Sequence, residues 1–427
     1  MHTIFALATA RGKSGVAVIR ISGPDAHRVA GSLCGALPEA GRFALRVLRD
    51  ARGEMLDEAL VLRFDAPRSF TGEDSVELQL HGSMAVIRAV EAAIAETGLA
   101  RLAEAGEFTR RALLNGNLDL AQVEGLGDLI AAETEAQRRQ AQALLSGGMR
   151  EFSESCRRDL LRAAALIEAT IDFADEEVPV DVSPEVGALI DRVLGGIEAQ
   201  LAGFQAAERV RHGFEVAIIG PPNAGKSTLL NRIAGREIAI TSEIAGTTRD
   251  VLEARVDLDG LPVTFLDTAG LRDTDDVVER VGVERARSRA RDADLRILLV
   301  DGTAGAQGFE AGVPIDLRYE TRADVTGKGV SGVTGQGVDG VLSDVSRLLS
   351  ERVSGMSLAS HERHRQALLA ARTSLRAAKQ VFDRGEEGAE ILALHLRDGV
   401  TALDSLIGRM DVEAILGEIF AQFCIGK

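Results

Sequence analysis

Cysteine is scarce. Cys34, Cys156 and Cys424 are odd in number and widely spaced over 427 residues, which excludes a disulfide framework and a clustered zinc site. No run of 18 apolar residues occurs, and no charged-then-apolar leader opens the chain. No membrane span or secretory signal is therefore expected, and the protein is expected in the cytoplasm, away from membranes. Positive charge is also short: 49 Lys plus Arg stand against 65 Asp plus Glu, a net −16. That is a poor footprint for a chain that grips nucleic acid unaided. The basic pairs Arg110-Arg111, Arg138-Arg139 and Arg157-Arg158 read as solvated helix faces. So do His361 and His364, which lack further ligands at metal spacing. Lysine occurs only at positions 13, 226, 328, 379 and 427, so a lysine inside a motif stands out.

One lysine is inside a motif. Gly220-Pro-Pro-Asn-Ala-Gly-Lys-Ser-Thr228 fits G-x-x-x-x-G-K-[ST], the loop that cradles phosphates. The apolar run Phe214–Ile219 before it predicts a buried strand, and Ser227–Ala234 predicts a helix stopped by Gly235. In that context the loop N–H groups and the helix N-terminus favour phosphate. Lys226 reaches the β- and γ-phosphates, and the Ser227 hydroxyl binds Mg²⁺. A second strand ends in Asp267-Thr268-Ala269-Gly270, placed to hold Mg²⁺ through water and to aim the Gly270 N–H at the γ-phosphate. Between them runs the polar loop Ser242–Asp250, with Thr248 as the switch threonine. Two such strand ends suit a doubly wound nucleotide fold. After the strand Leu295–Asp301, Thr321-Arg322-Ala323-Asp324 stands where Asn-Lys-x-Asp reads guanine. Asp324 can accept from the ring N–H and the exocyclic amine. The stretch between Asp301 and Thr321 is short and Gly-rich, with no room for a normal helix. Leu271 stands where Ras-like enzymes carry the glutamine that orients water, so Asp273, Asp275, Asp276 and Glu279 remain as candidate acids.

The rest of the chain is organised around this stretch. Residues 1–117 read as α+β, with strands at Val16–Ile21, Leu60–Phe64 and Val76–Leu80 and a helix at Met84–Thr97. Residues 118–211 and 356–427 are Ala-, Leu- and Arg-rich and helical. Gly147-Gly148 breaks one helix, Asp175–Pro184 forms a linker, and a helix fills about 185–210. Residues 212–355 form the nucleotide domain, inserted between the two helical halves. The expected fold is thus multidomain α/β.

Several stretches beyond the phosphate loop carry a resemblance: Asn223, Ala245-Gly-Thr-Thr-Arg-Asp250, Arg20-Ile-Ser-Gly23, Ser69-Phe-Thr-Gly-Glu-Asp74, Gly106-Glu-Phe-Thr109, Arg363-His364 and the tail Phe423-Cys-Ile-Gly-Lys427. Together they resemble the MnmE (TrmE) family of tRNA modification GTPases across essentially the whole chain. The resemblance implies a tetrahydrofolate-binding-like N-terminal domain that makes a homodimer, a helical domain and an inserted Ras-like G domain. It implies GTP contacts from Asn223, Ala224, Gly225, Lys226, Ser227 and Thr228, from Ser242, Glu243, Ile244, Ala245, Gly246, Thr247 and Thr248, from Asp267, Thr268, Ala269 and Gly270, and from Asp324. Mg²⁺ would sit on Ser227 and Thr248, and K⁺ on Asn223, Ser242, Ile244 and Thr247. Glu279 would orient water and Cys424 would act in the modification chemistry. Arg20, Glu77 and Lys427 would touch a 5-formyl- or 5,10-methylene-type tetrahydrofolate. Asn117 falls where the family has Lys or Arg at a further folate contact. An FAD-containing partner, MnmG (GidA), would complete a heterotetramer and carry much of the tRNA binding. Together they would build a carboxymethylaminomethyl group on C5 of the wobble uridine of certain tRNAs. The competing expectation is a regulatory GTPase of the ribosome-assembly type, without modification chemistry.

Overall fold

The structure, a computed structural model, describes residues 2–172, 182–236, 238–240, 253–267, 291–303, 314–384, 388–409 and 426. It divides into two compact units, Met1–Gly127 with Asp404–Lys427, and Asp128–Leu403.

The first unit is a six-stranded sheet with helices on both faces, two against one face and a third at the other. Its elements are β1 (Thr3–Leu7), β2 (Val16–Ser22), α1 (Ala26–Cys34), β3 (Phe43–Arg49), β4 (Met55–Phe64), β5 (Ser75–His81), α2 (Met84–Glu96), β6 (Ala100–Leu102), α3 (Glu107–Leu114) and the start of α4 (Leu120–Ala131). Strand order is β3-β4-β5-β2-β1-β6, antiparallel except where β1 meets β6. Period-2 alternation builds the core. Ala17, Ile19 and Ile21 of β2, Ala59 and Val61 of β4, and Val76, Leu78 and Leu80 of β5 are buried with Val29 of α1 and Val90 of α2. Arg20 and Glu77 alternate onto the opposite face, where they are direct cross-strand partners. Sequence periodicity finds β2, β4, β5 and α2, but passes over β1, β3, β6, α1 and α3. β1 is buried along its whole length and so shows no alternation to read.

The second unit joins a helical bundle to a second sheet. α5 (Glu135–Leu145), α6 (Gly148–Asp172), α7 (Ser183–His212), α8 (Lys226–Ala234), α9 (Ala323–Thr326), α10 (Val338–Val353), α11 (Glu362–Phe382) and α12 (Ala389–Leu406, which runs past the division) alternate with β7 (Phe214–Ile219), β8 (Glu253–Leu258), β9 (Leu261–Asp267), β10 (Leu295–Asp301) and β11 (Leu317–Thr321). Strand order is β11-β10-β7-β9-β8. All pairs are parallel except β8 with β9, as a doubly wound nucleotide fold requires. Val216 and Ile218 of β7, Phe265 of β9, Ile297 and Leu299 of β10, Leu230 of α8 and Val341 and Val345 of α10 share its core.

Three sequence expectations need correction. Ser183 and Pro184 begin α7 instead of closing a linker; in the first helical turn the missing proline N–H breaks no helical bond. His364 is fully buried in α11, and His361 is mostly buried, with Nε2 2.8 Å from Asp128 Oδ2, so neither lies on a solvated face. Arg111 is buried too, because it serves a polar network.

Candidate nucleotide site and polar cleft

The nucleotide site grows from the end of β7. Gly220 lies against β10, where a Cβ would come within 2.4 Å of the Leu299 carbonyl, so only glycine fits. Asn223 adopts φ 64°, a conformation that Asn tolerates better than most residues. Gly225, at φ 88°, caps α8. The glycines therefore shape the loop and deliver Lys226 and Ser227 onto the first turn of that helix.

Lys226 is buried, and its Nζ donates to the carbonyls of Gly220 and Pro221 at 2.9 and 3.0 Å. Burial pulls its ammonium below the usual lysine range, against the opposing attraction of Asp267. Ser227 Oγ donates to Asp267 Oδ2, so a hydroxyl from one strand end meets a carboxylate from the next. That is an oxygen donor pair of the kind Mg²⁺ takes.

On the opposite side, Arg322 is left-handed at φ 64°. Its Nε lies 2.9 Å from Asp301 Oδ2, and its Nη2 donates to the Asn223 carbonyl at 3.4 Å. A single side chain thus spans from β10 to the phosphate loop. Asp324 follows on the single turn α9. Asn223, Ala224, Gly225, Lys226, Ser227, Thr228, Asp267 and Asp324 are all described. Ser242–Thr248, Thr268–Gly270, Leu271, Glu279, Cys424 and Lys427 lie outside the described residues.

The second constellation lies on the outer face of the first sheet. Arg20 Nε donates to Glu77 Oε1 at 2.9 Å, and its guanidinium carbon sits 4.8 Å from the Phe70 ring centre and 5.6 Å from that of Phe108. A cleft of about 340 Å³ opens beside them, lined by Arg20, Phe64, Arg68, Ser69, Phe70, Ser75 and Glu77. Asn117 does not line it.

Behind the cleft is a buried polar network. Arg111 Nη1 donates to Glu73 at 2.9 Å, while its Nη2 donates to Glu107 at 2.9 Å and to the His2 carbonyl at 2.8 Å. Ser22 donates to Glu73 at 2.9 Å and shares a 2.7 Å hydrogen bond with Thr71. Burial pushes the Glu107 carboxyl up, but hydrogen bonds from Arg101, the Glu104 N–H and Arg111 outweigh it and hold it down at about 2. Glu73, Glu107 and Arg111 have no predicted role in the sequence reading. The only signal was that Glu73 and Glu107 fall inside the quoted stretches 69–74 and 106–109.

A family model described as the GTP-binding protein TrmE N-terminus matches residues 3–117. A second, described as the MnmE helical domain, matches residues 120–424. The chain belongs to the MnmE (TrmE) family of tRNA modification GTPases. A tRNA modification GTPase MnmE from Jannaschia sp. (strain CCS1) is 58% identical over the full length of both chains. Those from Roseobacter denitrificans and Ruegeria pomeroyi are 55% and 56% identical, again over 100% of each chain. The G domain of the T. maritima FeoB iron transporter covers 33% of this chain and 99% of its own at 22% identity and a TM-score of 0.23, too distant to bear on function. Among the described residues no helix is long and apolar enough to cross a membrane.

Proposed function

We propose that this chain is a cytoplasmic, potassium-stimulated GTPase. With an FAD-containing MnmG-type partner, it builds a carboxymethylaminomethyl group on C5 of the wobble uridine of certain tRNAs. The observation that carries the GTPase part is the convergence of Lys226, Ser227 and Asp267 at the head of β7 and β9. The charge and the donors a triphosphate needs are already placed on backbone-defined geometry. Ser227 with Thr248 would hold Mg²⁺. Asn223, already left-handed, would hold K⁺ with Ser242, the Ile244 carbonyl and Thr247. A cation beside the β–γ bridge supplies charge stabilisation that Leu271 cannot, and Glu279 is left to orient water.

The cleft supports the folate part. Two aromatic rings, two guanidiniums and one carboxylate suit a flat, polar-edged bicycle with an acidic tail, the source of the one-carbon unit. Gly426 packs so tightly against β1 that a Cβ would meet the Leu7 carbonyl at 2.1 Å, which puts that residue at the sheet that holds Arg20 and supports a role for its neighbours there. Homodimerisation is supported by the apolar edge of this sheet, where Phe43 and Leu45 are 68% and 58% exposed. The net charge of −16 supports a partner that carries much of the tRNA binding.

The test is hydrolysis of GTP by the full chain in KCl and in NaCl, with ATP as control and Glu279→Ala as the blank. GTP turnover in potassium alone, lost in the variant, is the expected result. Equal turnover in both salts overturns the potassium mechanism, and turnover retained by the variant removes Glu279 as the residue that orients water.

A further inference from the structure

The cleft beside Arg20 takes Arg68, Ser69 and Phe70 from one loop. That loop, residues 65–74 between β4 and β5, has no helix or strand of its own. Part of it is held from within, Ser69 Oγ donating to the Glu73 carbonyl at 2.6 Å and the Gly72 N–H to the Ser69 carbonyl at 3.4 Å; an irregular segment keeps one conformation only where its remaining backbone groups are also bound.

Three consecutive carbonyls of this loop are bound by two asparagine side chains. Asn117 Nδ2 donates to the Ser69 carbonyl at 2.9 Å and to the Phe70 carbonyl at 3.3 Å. Asn115 Nδ2 donates to the Thr71 carbonyl at 2.7 Å. Carbonyls only accept, so the amide orientation follows from the partners: each NH₂ faces the loop. The asparagines themselves stand on a fixed base. The Asn115 N–H donates to the Arg111 carbonyl and the Asn117 N–H to the Ala112 carbonyl, both at 2.9 Å, as α3 ends. Arg111, on the same helix, anchors Glu73 of the same loop. Gly72 between them is left-handed at φ +77°, and a Cβ there would lie 3.1 Å from Asn115 Cβ. Gly72 and Asn115 therefore meet closely, while both asparagines keep an exposed side.

We propose that Asn115 and Asn117 are positioning residues for this cleft. They fix the 69–71 backbone, and through it the Phe70 ring that packs on Arg20. Asn117, which stands where the family has Lys or Arg at a folate contact, acts here through the loop. The chemistry makes the role specific. Asn→Ala removes donors, whereas Asn→Asp keeps the shape and sets a carboxylate against carbonyl oxygens. If these residues only filled space, Asp would be the milder change. If they donate, it is the worse one.

The choice of ligand rests on the folate reading above; the clamp itself does not. In the full chain, amide hydrogen exchange across residues 66–75 is measured without ligand, and 5-formyltetrahydrofolate binding by calorimetry, for wild type, Asn115→Ala, Asn117→Ala and Asn117→Asp. Loop exchange is expected to rise roughly tenfold in each Ala variant, the scale of one or two net hydrogen bonds. Affinity is expected to fall about tenfold in Asn117→Ala and further in Asn117→Asp, with thermal midpoints nearly unchanged. Unchanged loop exchange, or Asn117→Asp binding as wild type does, overturns the proposal. Failure of wild type to bind 5-formyltetrahydrofolate overturns the folate reading, and loop exchange still decides the clamp.

Discussion

Around Lys226 the site is made by backbone; around Arg20 it is made by side chains. The phosphate loop holds its form through residues such as Gly220, which only one residue type can fill, and its donors are main-chain N–H groups and one lysine. The cleft is instead shaped by Glu73, Glu107, Arg111, Asn115 and Asn117, none of which lines it. A backbone-built site tolerates change in what surrounds it and fails at a few fixed positions. A site shaped by side chains depends on residues that do not line it. The two should therefore break differently.

The largest expected effect lies behind the cleft. Glu107→Ala leaves the buried Arg111 without one of its two carboxylate partners and Arg101 without its bidentate partner. Removing one member of a buried ion pair costs about 3–5 kcal/mol. Urea unfolding should show that loss, while fluorescent GDP binding in the folded variant stays as in wild type. A fall in GDP affinity equal to the loss in folate affinity would break the contrast between the two sites.

The same carboxylate predicts the acid behaviour. Its folded pKa lies at about 2, below the ordinary value of 4.5. The sign is that of a depressed acid: its stabilisation is fully present above 4.5 and is lost as pH falls from there toward 2. At about 1.4 kcal/mol per unit, the full contribution is about 3 kcal/mol. Urea midpoints of wild type should fall over that window, and those of Glu107→Ala should fall less. Parallel curves for the two proteins would remove Glu107 as the cause.

How legible each site was in the sequence follows from the same contrast. Gly220 to Thr228 could be read because backbone geometry and phosphate chemistry prescribe residue types at fixed, short spacing. The strands around them were legible as short apolar runs. The cleft draws on positions 20, 64–77 and 107–117, which meet only when β2 pairs with β5 and α3 packs behind the 65–74 loop. No local period announces that meeting. Arg20 and Glu77 came from resemblance alone, as did the position of Asn117, whose amide faces the loop. Arg111 was read as surface because a charged residue is usually solvated; only its paired carboxylates explain its burial. β1 and β6 escaped notice because a fully buried or three-residue strand has no pattern of its own.

At the phosphate loop the fixed point is Lys226. Lys226→Ala should weaken fluorescent GDP binding by about a hundredfold, the scale of a charge-assisted contact in a buried site. Urea stability should change little or rise, because burial already disfavours the ammonium. Folate binding should be unchanged. A variant that still binds GDP within about threefold of wild type would mean that the loop amides alone carry the phosphate.

The smallest expected effect sharpens the contrast most, because Arg322 is a side chain that braces the backbone-built site from outside the phosphate loop. Its link to Asp301 is partly exposed and its reach to the Asn223 carbonyl is long. A solvated pair of this kind is worth up to about 1 kcal/mol, or roughly fivefold in GDP affinity. Arg322 is also left-handed without being glycine, a strain that glycine does not carry. Arg322→Ala and Arg322→Gly should therefore lose similar affinity, while the glycine variant unfolds at the higher temperature because it keeps the turn and sheds the strain. If Arg322→Ala loses twentyfold or more, the nucleotide end of the molecule also depends on a side chain outside the phosphate loop. The two sites would then be built on the same plan.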